Sequence, residues 1–271
     1  MALYINTNVS SLNTQRKLMN STNALGKTYE RLSSGLRINS ASDDAAGLSV
    51  TTRMTSQVRG LNQAVRNAND GISLVQVTEG ALAETESALQ RMRELAVQAV
   101  NGTYTNTDRM DLHDEVAQLV SEIDRIADNT EFNSQNVLNT TQTFEIQVGM
   151  DQDQTISVTT TDANTALLGV NATTVSTMAQ ASAAIAEIDA AIASVSDMRS
   201  TLGAQQNRLE AAISNLTNVV ERTEAARSRI LDADIAAETA NLTRNAIMQQ
   251  AGTAILAQAN QQPQLALSLL G

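Results

Sequence analysis

From residue 178 onward, apolar side chains recur in alternating steps of three and four. The series runs Met178, Ala181, Ile185, Ile188, Ile192, Val195, Leu202, Leu209, Ile213, Leu216, Val220 and Ile230, with Arg199, Gln206, Thr223 and Arg227 as its polar members. A period of 3.5 keeps one seam toward a partner helix and implies a left-handed supercoil. No proline interrupts the stretch, and Gly203 is its only glycine. The pattern predicts one helix over 178–230, roughly 80 Å long. Met54, Val58, Leu61, Val65, Ala68, Ile72 and Val75 repeat the rhythm, and Leu82, Leu89 and Ala96 continue it at sevens. Asn69-Asp70-Gly71 is turn-like in isolation. The phase does not change across it, so the helix is expected to run through. Leu112, Val116, Leu119, Ile123 and Ile126 predict a third, shorter helix. Three such helices pack as a coiled-coil bundle.

The two ends carry weaker versions. Ile5, Val9 and Leu12, then Leu25, Tyr29, Leu32 and Leu36, are spaced by fours and threes. Near the other end, Leu231, Ile235, Leu242, Ile247, Ile255 and Leu256 are separated by small residues. An isolated helix of this length is marginal in water, so each end needs a partner, and pairing with each other would bring the termini together. One segment alternates instead: Phe144, Ile146 and Val148, then Ile156 and Val158 beyond an Asp151–Gln154 turn, which predicts a β-hairpin. The Ser/Thr/Ala-rich stretch 159–177 reads as a loop.

Composition narrows the choices. The chain has 271 residues, with forty Ala, five aromatics, one Pro and no Cys or Trp. That argues against a β-sandwich or an α/β enzyme, and it excludes disulfides and thiolate metal sites. No run of 18 apolar residues occurs, so no membrane-spanning helix is expected, and the start MALYINTNVSSL lacks the signature of a secretory signal peptide. The net charge of −11 is uneven. Residues 1–40 hold five bases and one acid, 235–271 hold only Glu238 and Arg244, and 41–234 therefore carries −15. An acidic middle suits a solvated outer surface and disfavours nucleic acid, whereas nearly uncharged ends suit burial against something else.

Candidate chemistry is sparse. The one histidine, His113, falls beside Leu112 but off the apolar series, and is expected to be solvent-exposed. No nucleophile or metal partner accompanies it. No phosphate-binding loop, dinucleotide fingerprint or zinc-protease motif occurs. Asp151-x-Asp153 lacks the other ligands of a calcium loop. Ser42-Asp43-Asp44 before Ala45-Ala46 reads as a helix N-cap. No catalytic, cofactor-binding or metal-binding residue is predicted.

Four blocks of sequence give the chain a family likeness. They are Ile5-Asn6-Thr7-Asn8 with Ser10-Ser11-Leu12; Arg31 to Ala41 followed by Asp43-Asp44-Ala45-Ala46-Gly47; Leu89 to Gln98; and Ala246 to Ala251, Leu256 to Gln261 and Leu267 to Leu270. In this order and at both ends, they make the chain resemble bacterial flagellin, in a short form without large variable outer domains. The resemblance covers about 1–140 and 178–271. It implies a mainly α fold, a long antiparallel coiled-coil helical bundle with one small β-hairpin near 142–160. Residues 1–43 and 235–271 would form a terminal inner coiled-coil domain and 44–234 an outer one. Ile5, Val9, Leu12, Leu25, Leu32, Leu36, Ile235, Leu242, Ile247 and Leu256 would pack the inner domain.

The implied function is that of a structural subunit of the flagellar filament, not an enzyme, secreted and assembled outside the cell. The partner would be the chain itself in a helical homopolymer, formed as the terminal helices fold on assembly. Further implied partners are the flagellar export apparatus with an export chaperone, the filament cap and the junction proteins, with no nucleic acid and no membrane. In host-associated members a toll-like immune receptor reads the block matching 89–98. Arg91, Leu95 and, from the next helix, Glu115 are the corresponding residues, although Met92 replaces the Val of the best-known members. Leu89 and Ala96 fall on the coiled-coil series. Arg91 and Leu95 fall off it, where contact with a neighbouring subunit competes with the receptor as their role. A hook–filament junction protein, which shares terminal helices with flagellin, is the alternative. An amphipathic coat on a lipid or granule surface is disfavoured by the narrow Ala-rich seams and acidic middle.

Overall fold

The computed structural model describes residues 7–268, with side chains from Thr7 to Gln261. Among these residues six helices and four short strands follow in order: α1 (Val9–Ser34), α2 (Ala45–Val100), α3 (Asn106–Asn129), β1 (Glu131–Phe132), β2 (Gln135–Asn136), β3 (Gln142–Gln147), β4 (Thr155–Thr160), α4 (Thr165–Leu168), α5 (Met178–Leu231) and α6 (Ile235–Ser268). The fold is mainly α with long antiparallel coiled-coil packing. The chain forms two compact units, one comprising the residues through Ser56 with those from Glu221 onward, the other Gln57–Val220.

In the second unit the α2 seam is Leu61, Ala64, Ala68, Gly71, Val75, Thr78, Leu82, Thr85, Leu89, Met92, Ala96 and Ala99, all buried and spaced strictly three and four. Thr78 and Thr85 are tolerated in an apolar seam because each hydroxyl donates to its own helix, to Leu74 O at 2.9 Å and Ala81 O at 3.1 Å. Gly71 closes no turn. A Cβ there would meet Ile146 Cγ1 at 3.1 Å and Leu209 Cδ1 at 3.3 Å, so its bare backbone lets the hairpin and α5 seat on α2. Helix α5 answers with Ala181, Ala184, Ile188, Ala191, Val195, Leu202, Gln205, Leu209 and Leu216. Every second member of the apolar count is therefore displaced by one residue. Ile185, Ile192 and Ile213 flank the seam half-buried, and Ala184 and Ala191 occupy it. The same displacement turns Arg199 outward to pair with Glu86, and with Glu79 at 3.5 Å. Arg93–Asp189 at 2.5 Å continues this antiparallel ladder.

Helix α3 starts with a capping box, Thr105 with Asp108, and buries Arg109, Val116, Ile123 and Ala127. Arg109 is only 6% exposed. It donates to Ala99 O at 2.7 Å, Asn101 O at 3.0 Å and Asn106 Oδ1 at 3.1 Å, which satisfies carbonyls left over at the C-terminus of α2. His113 corrects the expectation of exposure. One turn on from Arg109 and three residues before Val116, it shares the packed face, is half-buried, and its Nδ1 has no hydrogen-bond partner among the described residues.

The hairpin β3–β4 pairs Phe144 with Val158 and Ile146 with Ile156. Asn67 holds it to α2 by donating to Gln147 O at 3.1 Å. A second ribbon, β1–β2, turns through Asn133 and Ser134 at φ 50° and 62°. Asn-Ser without glycine is a weak hairpin signal, and so the pattern did not announce it. The stretch 159–177 is no plain loop either. It holds α4, whose first residue, Thr165, donates its N–H and hydroxyl to Asp124 at 2.9 Å each, and it buries Ala163, Leu168, Val170 and Val175. Thr160, Thr165 and Thr173 are buried too. Helix α5 contains an 18-residue window with a mean hydropathy of 1.2, enough by length and composition for a membrane span. Its seam residues are committed to the core just described.

Candidate assembly surface

The first unit is built around the termini. Asn8 caps α1 by accepting the Ser11 N–H at 3.0 Å, and Gly35, at φ 71°, ends it in the left-handed conformation. The chain then crosses the end of α5. Arg37 N–H donates to Leu231 O at 2.7 Å, Ala233 N–H to Gly35 O at 2.9 Å, and the Arg37 guanidinium to Ile230 O at 2.6 and 3.2 Å. Ile38 is buried. Asp43 accepts from Ser40 N–H and Oγ at 3.1 Å each, and Asp44 caps α2 through the Gly47 N–H at 2.8 Å. A Cβ at Gly47 would sit 2.7 Å from Ile38 Cδ1. The block Arg31–Gly47 is thus a joint in which each unusual residue has a local physical task. The Ser40 hydroxyl, with its N–H, holds the Asp43 carboxyl below its ordinary range.

Helices α1 and α6 pack antiparallel. Along α1 the covered residues include the series Ser11, Thr14, Leu18, Ser21, Leu25, Thr28 and Leu32, flanked by Ala24 and Arg31; along α6 they include Glu238, Leu242, Asn245, Gln249, Gly252, Leu256 and Ala259, flanked by Asn241 and Ala246. Both series step by threes and fours, but half of each is polar. The contacts are correspondingly polar. Asn8 donates to Ala259 O at 2.7 Å, Ser11 to Asn260 Oδ1 at 2.7 Å and Ser21 to Asn245 O at 3.3 Å, and Arg31 pairs with Glu238 at 3.6 Å. Leu18 packs over Gly252, where a Cβ would lie 3.2 Å away.

Five leucines lie inside the pair, but eight other large apolar residues point the other way. Val9 (64%), Leu12, Met19 and Tyr29 on α1 and Ile235, Ile247 (59%), Met248 and Ile255 on α6 are exposed. Complete burial of one such side chain contributes about 1.5–3 kcal/mol. Each is roughly half covered already, so about 1 kcal/mol apiece remains, on the order of 8 kcal/mol for the chain. Of the residues expected to pack the ends, Leu25, Leu32, Leu36, Leu242 and Leu256 are half-buried, Val9, Leu12, Ile235 and Ile247 are outward, and Ile5 lies outside the described residues. The seam residues Ser11, Ser21, Thr28, Asn245 and Gly252 escaped notice because a search for apolar periodicity skips them.

At the 89–98 block, Arg91 donates to Glu115 at 2.9 Å and to Glu94 at 3.0 Å, and the Glu115 hydrogen bond raises its pKa. Arg91, Glu94 and Glu115 are exposed. Leu95 is 1% exposed and sits in the core. Packing of three helices widens the buried face beyond the 3–4 seam, so Leu95 is inside although Arg91 is not.

These features define a helical coiled-coil protein whose two ends pair and keep their apolar faces outward. Residues 5–143 match the model of the bacterial flagellin N-terminal helical region, and 185–270 that of its C-terminal helical region. The chain is 48% identical to a flagellin of Halalkalibacterium halodurans, over 99% of this chain and all of that one. It is 44% identical to the flagellar filament 33 kDa core protein of Treponema phagedenis, with the same coverage. The crystal structure of Bacillus cereus flagellin superposes with a TM-score of 0.52 at 36% identity, covering 56% of this chain and 88% of that one. The chain belongs to the bacterial flagellin family. A Vibrio parahaemolyticus structure described as flagellar hook-associated reaches a TM-score of 0.59 over 70% of this chain and all of that one, but at 14% identity it shows the fold alone.

Proposed function

We propose that this chain is the structural subunit of a flagellar filament, polymerising through its paired terminal helices into a helical tube outside the cell. The observation that carries this reading is the divided end: a seam inside the α1–α6 pair that mixes five leucines with polar and small residues, and eight large apolar residues left outside it. Ordering a helical residue costs about 1–2 kcal/mol of backbone entropy. A seam in which five half-buried leucines alternate with Ser, Thr, Asn and Gly offsets only part of that, and the outward Val, Leu, Met and Ile contribute in full only when other copies cover them. Folding of the ends is therefore coupled to assembly. Such a contact joins different patches on successive copies and propagates without closing.

On this reading residues 1–43 and 235–271 form the inner layer and 44–234 the outer one. The acidic net charge of 41–234 supports its facing the medium. The reading takes the export apparatus with an export chaperone, the cap and the junction proteins as partners, and motility as the task of the filament. An innate immune receptor of the toll-like class would meet Arg91 and Glu115, which are exposed, with Leu95 supporting them from beneath. Seeded assembly of the purified full chain, compared with a version lacking 1–40 and 235–271 and read by sedimentation and negative-stain microscopy, tests the proposal. Filaments from the full chain only are expected. A full chain that stays monomeric on every seed refutes it.

A further inference from the structure

Two of the outward apolar residues are methionines, Met19 at 62% and Met248 at 58% exposed. One lies on α1 and the other on α6. The Ser21–Asn245 hydrogen bond and the Leu18–Gly252 contact set the antiparallel register and bring both to the same level of the pair. A thioether is the one apolar side chain that a mild oxidant makes polar without cleaving the chain. We propose that Met19 and Met248 form an oxidation-sensitive pair that gates entry of the chain into the filament, with a peroxide as the oxidant. The inference rests on the function proposed above.

The chemistry is a two-electron oxygen transfer. A sulfur lone pair attacks the peroxide oxygen, the O–O bond breaks, an S–O bond forms, and water leaves. Sulfur is oxidised and the peroxide oxygen reduced. The sulfoxide oxygen is a strong acceptor. In the free chain water satisfies it. Buried against the apolar face of another copy, it has no donor and assembly loses its favour. Among the described residues, Met92 is fully buried and shielded, whereas Met110, Met150 and Met178 are exposed and belong to the other unit, Gln57–Val220. They serve as internal controls.

The test uses the full-length chain, partly oxidised with hydrogen peroxide and then offered to untreated seeds. Pellet and supernatant are separated, and sulfoxide is quantified at each methionine by peptide mass analysis. Met19 and Met248 sulfoxides are expected to be enriched at least tenfold in the unassembled fraction, with Met110, Met150 and Met178 sulfoxides distributed evenly. Treatment with methionine sulfoxide reductase is expected to return the excluded chains to the pellet. Even distribution of all five sulfoxides, or equal enrichment of all five, overturns the proposal. The untreated chain run in parallel separates the two readings. If it fails to elongate seeds, the filament reading falls. If it elongates them and the sulfoxides enter freely, only the oxidation gate falls. Met19→Leu/Met248→Leu gives a second readout, the ratio of treated to untreated assembly within one protein. That ratio is expected near one, and a ratio as low as the parent chain's overturns the assignment.

Discussion

Gly71 and Gly80 lie nine residues apart in α2, yet alanine at the two positions should act in opposite directions. Both replacements gain helix propensity, about 1 kcal/mol each. At Gly80 nothing lies within 4 Å of the added Cβ, so the whole gain survives. At Gly71 the Cβ arrives 3.1 Å from Ile146 Cγ1 and 3.3 Å from Leu209 Cδ1. Ile146 is held by the hairpin register and Leu209 by the α5 seam, so neither moves freely. Overpacking of this kind costs about 1–3 kcal/mol, which exceeds the propensity gain and leaves a net loss of about 1 kcal/mol. The two variants should therefore differ by about 2 kcal/mol. Urea unfolding of the full chain, followed by helical circular dichroism, reads this as a midpoint difference on the order of 1 M at unchanged slope. An Ile146→Ala background should reduce the cost at Gly71, leaving only the Leu209 contact, and leave Gly80→Ala untouched. If Gly71→Ala stabilises as much as Gly80→Ala, the hairpin does not seat over Gly71 and the packing argument is wrong.

Arg109→Ala should lower stability by about 3 kcal/mol, since charged hydrogen bonds to two carbonyls and an amide are lost at once. Arg109→Lys should recover only part of this in the same urea assay, because an ammonium cannot span the fork. Asp43 and Asp108 are held below their ordinary 3.8, by the Ser40 hydroxyl and the Thr105 N–H respectively. A depressed folded pKa contributes stability that is complete above the ordinary value and lost as pH falls through the lowered one. The acid limb of an unfolding profile below about pH 4 should therefore flatten in Asp43→Asn/Asp108→Asn. Leu12→Ser or Ile247→Ser should weaken seeded elongation several-fold while lowering the stability of the free chain by no more than about 1 kcal/mol, because both side chains are more than half exposed there. A large midpoint change would mean that they already pack within the single chain.

The long helices and the β3–β4 hairpin were legible because their signals are repetitive. A seven-residue rhythm survives individual polar positions, and strict alternation marks a half-buried ribbon. The seam itself was less legible. Counting apolar residues favours Ile185 and Ile192 over Ala184 and Ala191, but only small residues admit the close helix approach that buries the latter. It also passes over Thr78, Thr85 and Gly71, whose fitness comes from a hydrogen bond to the helix's own carbonyl or from the absence of a Cβ. Arg109 was invisible for a related reason. Its partners are backbone carbonyls, which carry no sequence signature. Leu95 and His113 fall off the 3–4 count, which marks one seam per helix, whereas packing against more than one neighbour buries a wider face.

The ends pose the opposite problem, and its resolution bears on function. Read as an apolar stripe, Val9, Leu12, Ile235 and Ile247 belong inside the terminal pair; in the chain they are outside, and Ser11, Ser21, Thr28 and Asn245 are inside. Hydrogen bonds such as Ser11–Asn260 and Ser21–Asn245 fix register through geometry while contributing little net free energy. Apolar burial contributes free energy with little directional preference. Dividing the two tasks lets the chain specify how its own ends align while leaving a large part of the driving force unspent until other copies supply the second surface. Leucine at every seam position, in place of the five that alternate with polar and small residues, would satisfy the ends within one molecule and remove the reason to polymerise. The polar seam is thus what makes assembly, rather than the isolated chain, the state in which these helices are best buried.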